Sequence, residues 1–280
     1  MSPEFSEKLT VAVDNMPAFP KSVQEILALT RNVECAPKDL VQVIENDPVV
    51  TVRVLRVINA AYFSLPKKTT SIKHAVVYLG FNTIKNLAVG IAALGMVSAN
   101  RVAGLDNKAF LQHALSTAGI AKLLAQRVDG ADPMDCFVAG LLHDFGKLLL
   151  AQTMPAEFQK ALDQSRSGQT SLHLALREVM GVDHAEVGAM LVSKWRFPVD
   201  LVEAIRHQYG PEIQDAPMTA CVFAANQISK KLQFGFAGNF YHEALPPAIA
   251  KRLGGGLDEL MASLGDLTPV FEEAKQFSNI

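Results

Sequence analysis

The sequence is poor in cysteine, and its few cysteines are widely scattered. Cys35, Cys136 and Cys221 are the only three among 280 residues, and no two of them have C-x-x-C spacing. An odd number of distant cysteines argues against a disulfide framework and against a zinc knuckle. We therefore predict reduced core thiols in a fold that needs no covalent crosslink.

Long apolar runs are also missing. The longest nearly uninterrupted one, Leu87–Val97, is about half of the ~20 residues that a membrane-spanning helix needs. The first ten residues, MSPEFSEKLT, carry two glutamates and no hydrophobic stretch, which is unlike a secretory signal. We expect a cytoplasmic protein that does not bind membranes.

The chain lacks an excess of positive charge. It has 26 Lys and Arg against 28 Asp and Glu, and its basic clusters are no longer than pairs such as Lys67-Lys68 and Lys230-Lys231. Nucleic-acid binding usually requires a basic patch or stripe. We therefore expect no nucleic-acid partner.

What the sequence does have is the pattern of a packed helical protein. Apolar residues recur at spacings of three and four, and Asp47-Pro48 and Asp132-Pro133 are typical helix starts. No segment reads convincingly as a strand. The fold class predicted is all-α, a multi-helix bundle without significant β-sheet.

Two of these helix starts lead to polar residues. The helix that opens at Asp132-Pro133 is expected to run through His143 and Leu148. The D-x-x-E arrangement of Asp183 and Glu186 predicts a capping box. The helix that it caps would begin with His184 in its first turn.

Histidines on several helical segments suggest a metal site. Imidazole and carboxylate ligands suit first-row transition metals, and a helix bundle can direct one ligand inward from each helix. The remaining histidines read as isolated residues that are either satisfied or partly exposed: His74, His173 and His242. The candidate ligands are His113, His143 with Asp144, His184 and His207.

Several motifs together resemble the HDOD domain, an all-helical relative of the HD phosphohydrolases. They are the Met16–Pro20 opening, the stretch from Ile44 to Val89, the GLLHDFGK segment and the helix from His184. The resemblance implies one HDOD domain over residues 14–230, with an amino-terminal half to about residue 100 and an HD-like half from about residue 105. Residues 231–280 would form a C-terminal helical extension.

The resemblance also implies a ligand set. HD enzymes hold metal with a first His, an adjacent His-Asp pair and a later Asp, and activate water on it. His113 and the pair His143-Asp144 match the first three ligands, and His184 and His207 resemble the additional histidines of the HD-GYP branch. Asn226 stands where the final Asp would align, and an amide is a weaker, neutral ligand. A divalent transition metal such as Fe, Zn, Ni or Mn is expected.

Two functions remain open at this stage. HDOD domains resemble output modules of bacterial signal transduction, which implies a non-catalytic or weakly active protein with a degenerate HD-type metal site and a protein partner. The alternative is a metal-dependent phosphohydrolase acting on a nucleotide or other phosphoester, with Asp144 and Lys147 as candidate catalytic residues. A cyclic dinucleotide substrate is not supported, because the residues after His207 do not follow the GYP signature.

Overall fold

The computed structural model describes the chain in two compact units. One unit is Pro17–Ser98, and the other combines Met1–Met16 with Ala99–Ile280. The described residues are 7, 9–11, 21–29, 36–60, 68–95, 103–168, 170–209, 216–239 and 241–278. Cys35 and the Met16–Pro20 opening lie outside them.

Every regular element in the described part of the chain is a helix, and no strand occurs there. The prediction of an all-α fold is therefore confirmed. None of these helices combines the length and the hydropathy that crossing a bilayer would need.

The unit Pro17–Ser98 contains five described helices. They are α1 (Lys21–Leu29), α2 (Pro37–Glu45), α3 (Pro48–Ile58), α4 (Ile72–Leu79) and α5 (Phe81–Gly95). Asp47 caps α3 as expected, because its carboxylate accepts hydrogen bonds from the amides of Val49 and Val50 at 3.0 and 3.1 Å. Asn59 exchanges two hydrogen bonds with the backbone of Thr69, at 2.7 and 2.8 Å.

The second unit holds the HD-like segment. Its long helix α6 (Asn107–Ala125) is buried along most of its length and packs most extensively against α7 (Pro133–Leu142) and α13 (Pro217–Lys231). The other helices are α7 (Pro133–Leu142), α8 (Phe145–Thr153), α9 (Pro155–Gly168), α10 (Leu172–Met180), α11 (His184–Lys194), α12 (Val199–Arg206), α13 (Pro217–Lys231), α14 (Pro247–Leu253), α15 (Leu257–Leu264) and α16 (Thr268–Phe277).

Two of the predicted core thiols belong to this unit. Cys136 and Cys221 are free and buried. A hydrogen bond with Cys221, together with burial, raises the pKa of the Cys136 thiol. Cys136 therefore stays protonated at neutral pH and is a poor nucleophile.

The pair His143-Asp144 lies at a break between two helices, not within one. The expectation of a single helix through Leu148 is wrong, since α7 ends at Leu142 and α8 begins at Phe145. Gln208 explains the break physically, because its side-chain amide donates to the carbonyl oxygen of His143 at 2.8 Å. The His143 carbonyl oxygen therefore has a hydrogen-bond partner even though the helix does not continue.

Asp183 caps α11, and α11 begins at His184 as predicted. One Asp183 oxygen accepts the amides of Ala185 and Glu186 at 2.9 and 3.0 Å. Its other oxygen lies 2.7 Å from Nη2 of Arg177. The second half of the predicted capping box, a bond from the Glu186 side chain, is not among the contacts of the described residues. Arg177 instead balances the charge of this buried cap.

Close contact between α8 and α11 depends on glycine. A Cβ atom on Gly146 would lie 1.9 Å from the carbonyl oxygen of His184 and 2.7 Å from the amide nitrogen of Gly188. Both of these are backbone atoms, which cannot move aside like the end of a flexible side chain. Gly146 therefore lets the start of α11 approach the residues that follow Asp144.

We predict that Gly146→Ala destabilises the protein by about 2–3 kcal/mol, because overpacking would push α8 from α11. Urea unfolding at equilibrium measures this change. Gly168→Ala is the matched control, since the nearest atom to a Cβ there is Thr170 Cγ2 at 3.9 Å. Equal unfolding midpoints for the two variants would contradict the role given to Gly146.

Candidate metal centre

The candidate site is organised around the carboxylate of Asp144. Its Oδ2 lies 3.6 Å from Nε2 of His113, 3.3 Å from Nε2 of His143 and 2.7 Å from Nζ of Lys147. Its Oδ1 lies 3.3 Å from Nε2 of His184. The site is enclosed, because each of these five side chains is at most 2% exposed.

The charges of the site follow from this enclosure. Burial alone would raise the pKa of Asp144, but the neighbouring His143 and Lys147 side chains outweigh it and hold that pKa well below its usual value. Burial lowers the pKa of His113 to about 3 and that of His184 to about 4. At neutral pH the site therefore contains one carboxylate and at least two neutral imidazoles.

The ring of His143 is oriented as a metal ligand usually is. Its Nδ1 lies 2.6 Å from the carbonyl oxygen of Gly140, which only accepts, so Nδ1 carries the proton. In a neutral ring, Nε2 then has a free lone pair and faces an oxygen of Asp144. Two acceptors that face each other in a buried site favour a cation between them.

Other polar atoms of the site also lack hydrogen bonds. Among the described residues, no hydrogen-bond partner is found for Asp144 Oδ1 or for either ring nitrogen of His184. The ligand atoms of His113, His143 and Asp144 all lie within 4.8 Å of one another. This donor set fits one divalent first-row ion.

Asn226 affects how well His113 can act as a metal ligand. Its Oδ1 lies 3.2 Å from Nε2 of His113, and its Nδ2 donates to Oη of Tyr209 at 3.1 Å. Nε2 of His113 thus faces two oxygen acceptors, those of Asn226 and Asp144, which favours a proton on that nitrogen. A proton there competes with the use of the same nitrogen as a metal ligand.

His207 is placed differently from the other predicted ligands. Its Nε2 lies 2.9 Å from Oε2 of Glu203, one turn earlier on α12, and 36% of its side chain is exposed. Neither His207 nor His184 is in the group of three residues that could share an ion, but His184 contacts Asp144 at 3.3 Å. The structure brings together His113, His143, Asp144, Lys147, His184 and Asn226.

Two residues beside the site were not predicted from the sequence. His173, which the sequence suggested to be isolated, stacks on Tyr209 with ring centroids 4.1 Å apart and an angle of 12° between the rings. The Tyr209 ring also meets His184 edge-on at 5.3 Å. Burial raises the pKa of the Tyr209 phenol, which therefore stays protonated and able to hydrogen-bond Asn226.

Comparison with known proteins identifies the family. The family model of the HDOD domain matches residues 16–211, which is more than half of the chain. The chain belongs to the HDOD domain family. Its N-terminal helices and its His-Asp segment are therefore parts of one family pattern. The predicted extension of the domain to residue 230 stays a prediction.

Similar proteins support the fold. A structure from Shewanella amazonensis SB2B, provisionally named a phosphohydrolase, is 27% identical, with a TM-score of 0.74 over 96% of this chain and 97% of that one. An HDOD domain protein of unknown function from Geobacter sulfurreducens is 23% identical, with a TM-score of 0.75 over 97% of this chain and 98% of its own.

A relative from Treponema pallidum is 25% identical over 242 residues. The match covers 85% of this chain and 46% of the relative. The chain thus spans less than half of that protein.

We predict that stability falls as pH decreases from about 7 towards about 4. Burial lowers the pKa of His113, His173 and His184 from 6.5 to about 3, 3 and 4. The unfolded chain therefore binds more protons in this window, and each histidine contributes at most about 1.4 kcal/mol per pH unit. Urea unfolding of chelator-treated protein at several pH values measures the slope.

His184→Gln should reduce this slope, because it removes one of the three groups. His74→Gln is the control, since the side chain of His74 is exposed. A flat stability profile between pH 7 and pH 5 would contradict the burial of neutral imidazoles.

Proposed function

We propose that this protein is a bacterial signal-transduction module of the HDOD type that does not hydrolyse phosphoesters. The observation that carries the proposal is the pairing of Asp144 with Lys147 at 2.7 Å. In the described part of the chain, Asp144 is the one carboxylate in direct contact with the rings of His113, His143 and His184, and Lys147 already pairs with it. The single carboxylate, paired with an ammonium group, therefore offers little net negative charge to hold the two dications of a two-metal hydrolase.

The enclosure of the site supports the same proposal. Catalytic metal sites keep a coordination position open to water and substrate, whereas structural sites are closed. His143 and His184 are fully buried, and His113 and Asp144 are 1–2% exposed. A neighbouring cleft reaches His113 but is not lined by His143, Asp144 or His184. A metal held here would serve mainly to fix α6, the α7–α8 junction and α11 together.

The partner that we propose for signalling is a protein. Near-balanced charge, with 26 basic against 28 acidic residues, gives little attraction for nucleic acid. Within the unit Pro17–Ser98, helix α4 exposes Val77 by 77% and Tyr78 by 68%. These side chains would give a protein partner apolar surface to bury.

A metal-dependent phosphohydrolase is the second candidate function. The observation in its favour is the set of buried atoms without hydrogen bonds at His143, Asp144 and His184. His113, His143 and Asp144 would hold the ion, which when bound would lower the pKa of a water molecule towards neutrality. Lys147 would supply positive charge to a phosphate oxygen.

Turnover by the metal-loaded protein separates these two functions. The wild type and a double variant, His143→Ala with Asp144→Ala, are loaded with Mn²⁺, Fe²⁺, Ni²⁺ or Zn²⁺ and assayed with bis(p-nitrophenyl) phosphate. We expect no turnover by the wild type above that of the double variant. Metal-dependent turnover that the double variant loses would overturn the proposal in favour of the hydrolase.

We predict that Asn226→Asp tightens binding of a divalent metal on the order of tenfold, because it adds a carboxylate and removes the amide beside His113. Competition with a chromogenic chelator measures the dissociation constant. Gln227→Glu is the matched control, since it adds the same charge to the next buried residue of α13. If both variants or neither tightened binding, Asn226 would not occupy a ligand position.

A further inference from the structure

A cleft of about 350 Å³ opens beside His113, on the side formed by the end of α13 and the segment that follows it. Lys230, Phe236 and Asn239 are among the residues that line it. The volume lies in the range of sites that bind small organic molecules. It also exceeds what a simple inorganic ion would fill.

Lys230 brings a positive charge to this cleft. Asp144 and Glu243 act on that charge from a distance, but no carboxylate of the described residues forms a direct ion pair with it. Its closest recorded hydrogen-bond partner is the neutral Oε1 of Gln227 at 3.4 Å, and its Nζ lies 5.8 Å from the centre of the Tyr209 ring. The next residue, Lys231, differs because it pairs with Asp258. Burial lowers the pKa of Lys230 to about 8, so its ammonium is still mostly charged at neutral pH.

Hydrogen-bond donors accompany this charge. Nδ2 of Asn239 and Nε2 of Gln227 are buried and have no hydrogen-bond partner among the described residues. Asn239 lines the cleft, and Gln227 lies one turn before Lys230 on α13. Asn239, with its unpaired N–H donor, and Lys230, with its ammonium group, line the same cleft and favour an anionic ligand, because an anion can accept hydrogen bonds from both.

The apolar side of the cleft is held in place by α6. The amide of Phe236 donates to the carbonyl oxygen of Ala109 at 2.9 Å. Gly235 has φ of +72°, and a Cβ there would lie 2.3 Å from the amide nitrogen of His113. The segment therefore sits directly on the α6 backbone, and Phe236 offers an aromatic surface beside the charged groups.

We propose that this cleft binds a small organic anion, with Lys230 and Asn239 holding a carboxylate or phosphate group and Phe236 contacting an apolar body. The inference does not depend on hydrolysis. Because His113 lines the same cleft, a bound anion would contact the edge of the candidate metal centre. The cleft would then let a small molecule act on the signalling domain.

Three probes with the same aromatic ring test the proposal. Chelator-treated protein is titrated with phenyl phosphate, benzoate and phenol by calorimetry. We expect saturable binding of at least one of the two anions, and binding of phenol at least about tenfold weaker. The two anions also distinguish a phosphate from a carboxylate ligand. No saturable binding of either anion up to about 10 mM, or equal binding of phenol, would overturn the proposal.

Variants identify the residues responsible. Lys230→Met is expected to weaken binding of the anion at least about tenfold, whereas Lys231→Met, the matched control, should leave it unchanged. Lys230→Arg should restore most of the affinity because it keeps the charge. Asn239→Ala is the second test if Lys230→Met fails to fold by circular dichroism. Equal loss in Lys230→Met and Lys231→Met would overturn the assignment.

Phosphorus NMR of the phenyl phosphate samples, repeated with added diamagnetic Zn²⁺, separates this inference from the proposed function. Anion binding without release of phenol supports both. Anion binding with release of phenol supports the proposed anion site and overturns the proposal that the protein does not hydrolyse phosphoesters. Absence of anion binding overturns the proposed anion site but leaves the proposed function untouched.

Discussion

The buried carboxylate of Asp144 is the charge on which the arrangement of this domain depends. Three histidine rings face it within 3.6 Å, and Lys147 contacts it at 2.7 Å. A buried carboxylate must be paired or must bind a cation, because an isolated one costs too much free energy. Lys147 satisfies part of this need from within the chain. A metal would therefore have to compete with the ammonium of Lys147.

Close packing of the helices brings the histidines to the Asp144 carboxylate. Gly146 lets α8 and α11 approach closely enough for His184 to meet Asp144, and Gln208 accommodates the break between α7 and α8 at His143. Asn226 and Tyr209 extend the site by a hydrogen-bonded chain to His113. The result is a polar core in which metal-type ligands also take part in amide hydrogen bonding.

Local sequence signals predicted much of this structure. The cap at Asp47 and the start of α11 at His184 follow from neighbouring residues alone. The helix break at His143 could not be predicted, because it involves Gln208, which lies 65 residues away. The stacking of His173 on Tyr209 is also set by tertiary packing. The pairing of His207 with Glu203 could have been predicted, since Glu203 lies one helical turn before it.

The tautomers of two histidines test the central claim most directly. Long-range ¹H–¹⁵N correlation spectra of metal-free protein at neutral pH report which ring nitrogen carries the proton, and His113→Gln and His143→Gln variants assign the signals. The contacts with Asn226 and Gly140 predict a neutral His113 protonated at Nε2 and a His143 protonated at Nδ1. A neutral His113 with an unprotonated Nε2 would contradict the account, because that nitrogen would then be as free to bind metal as in a complete HD site.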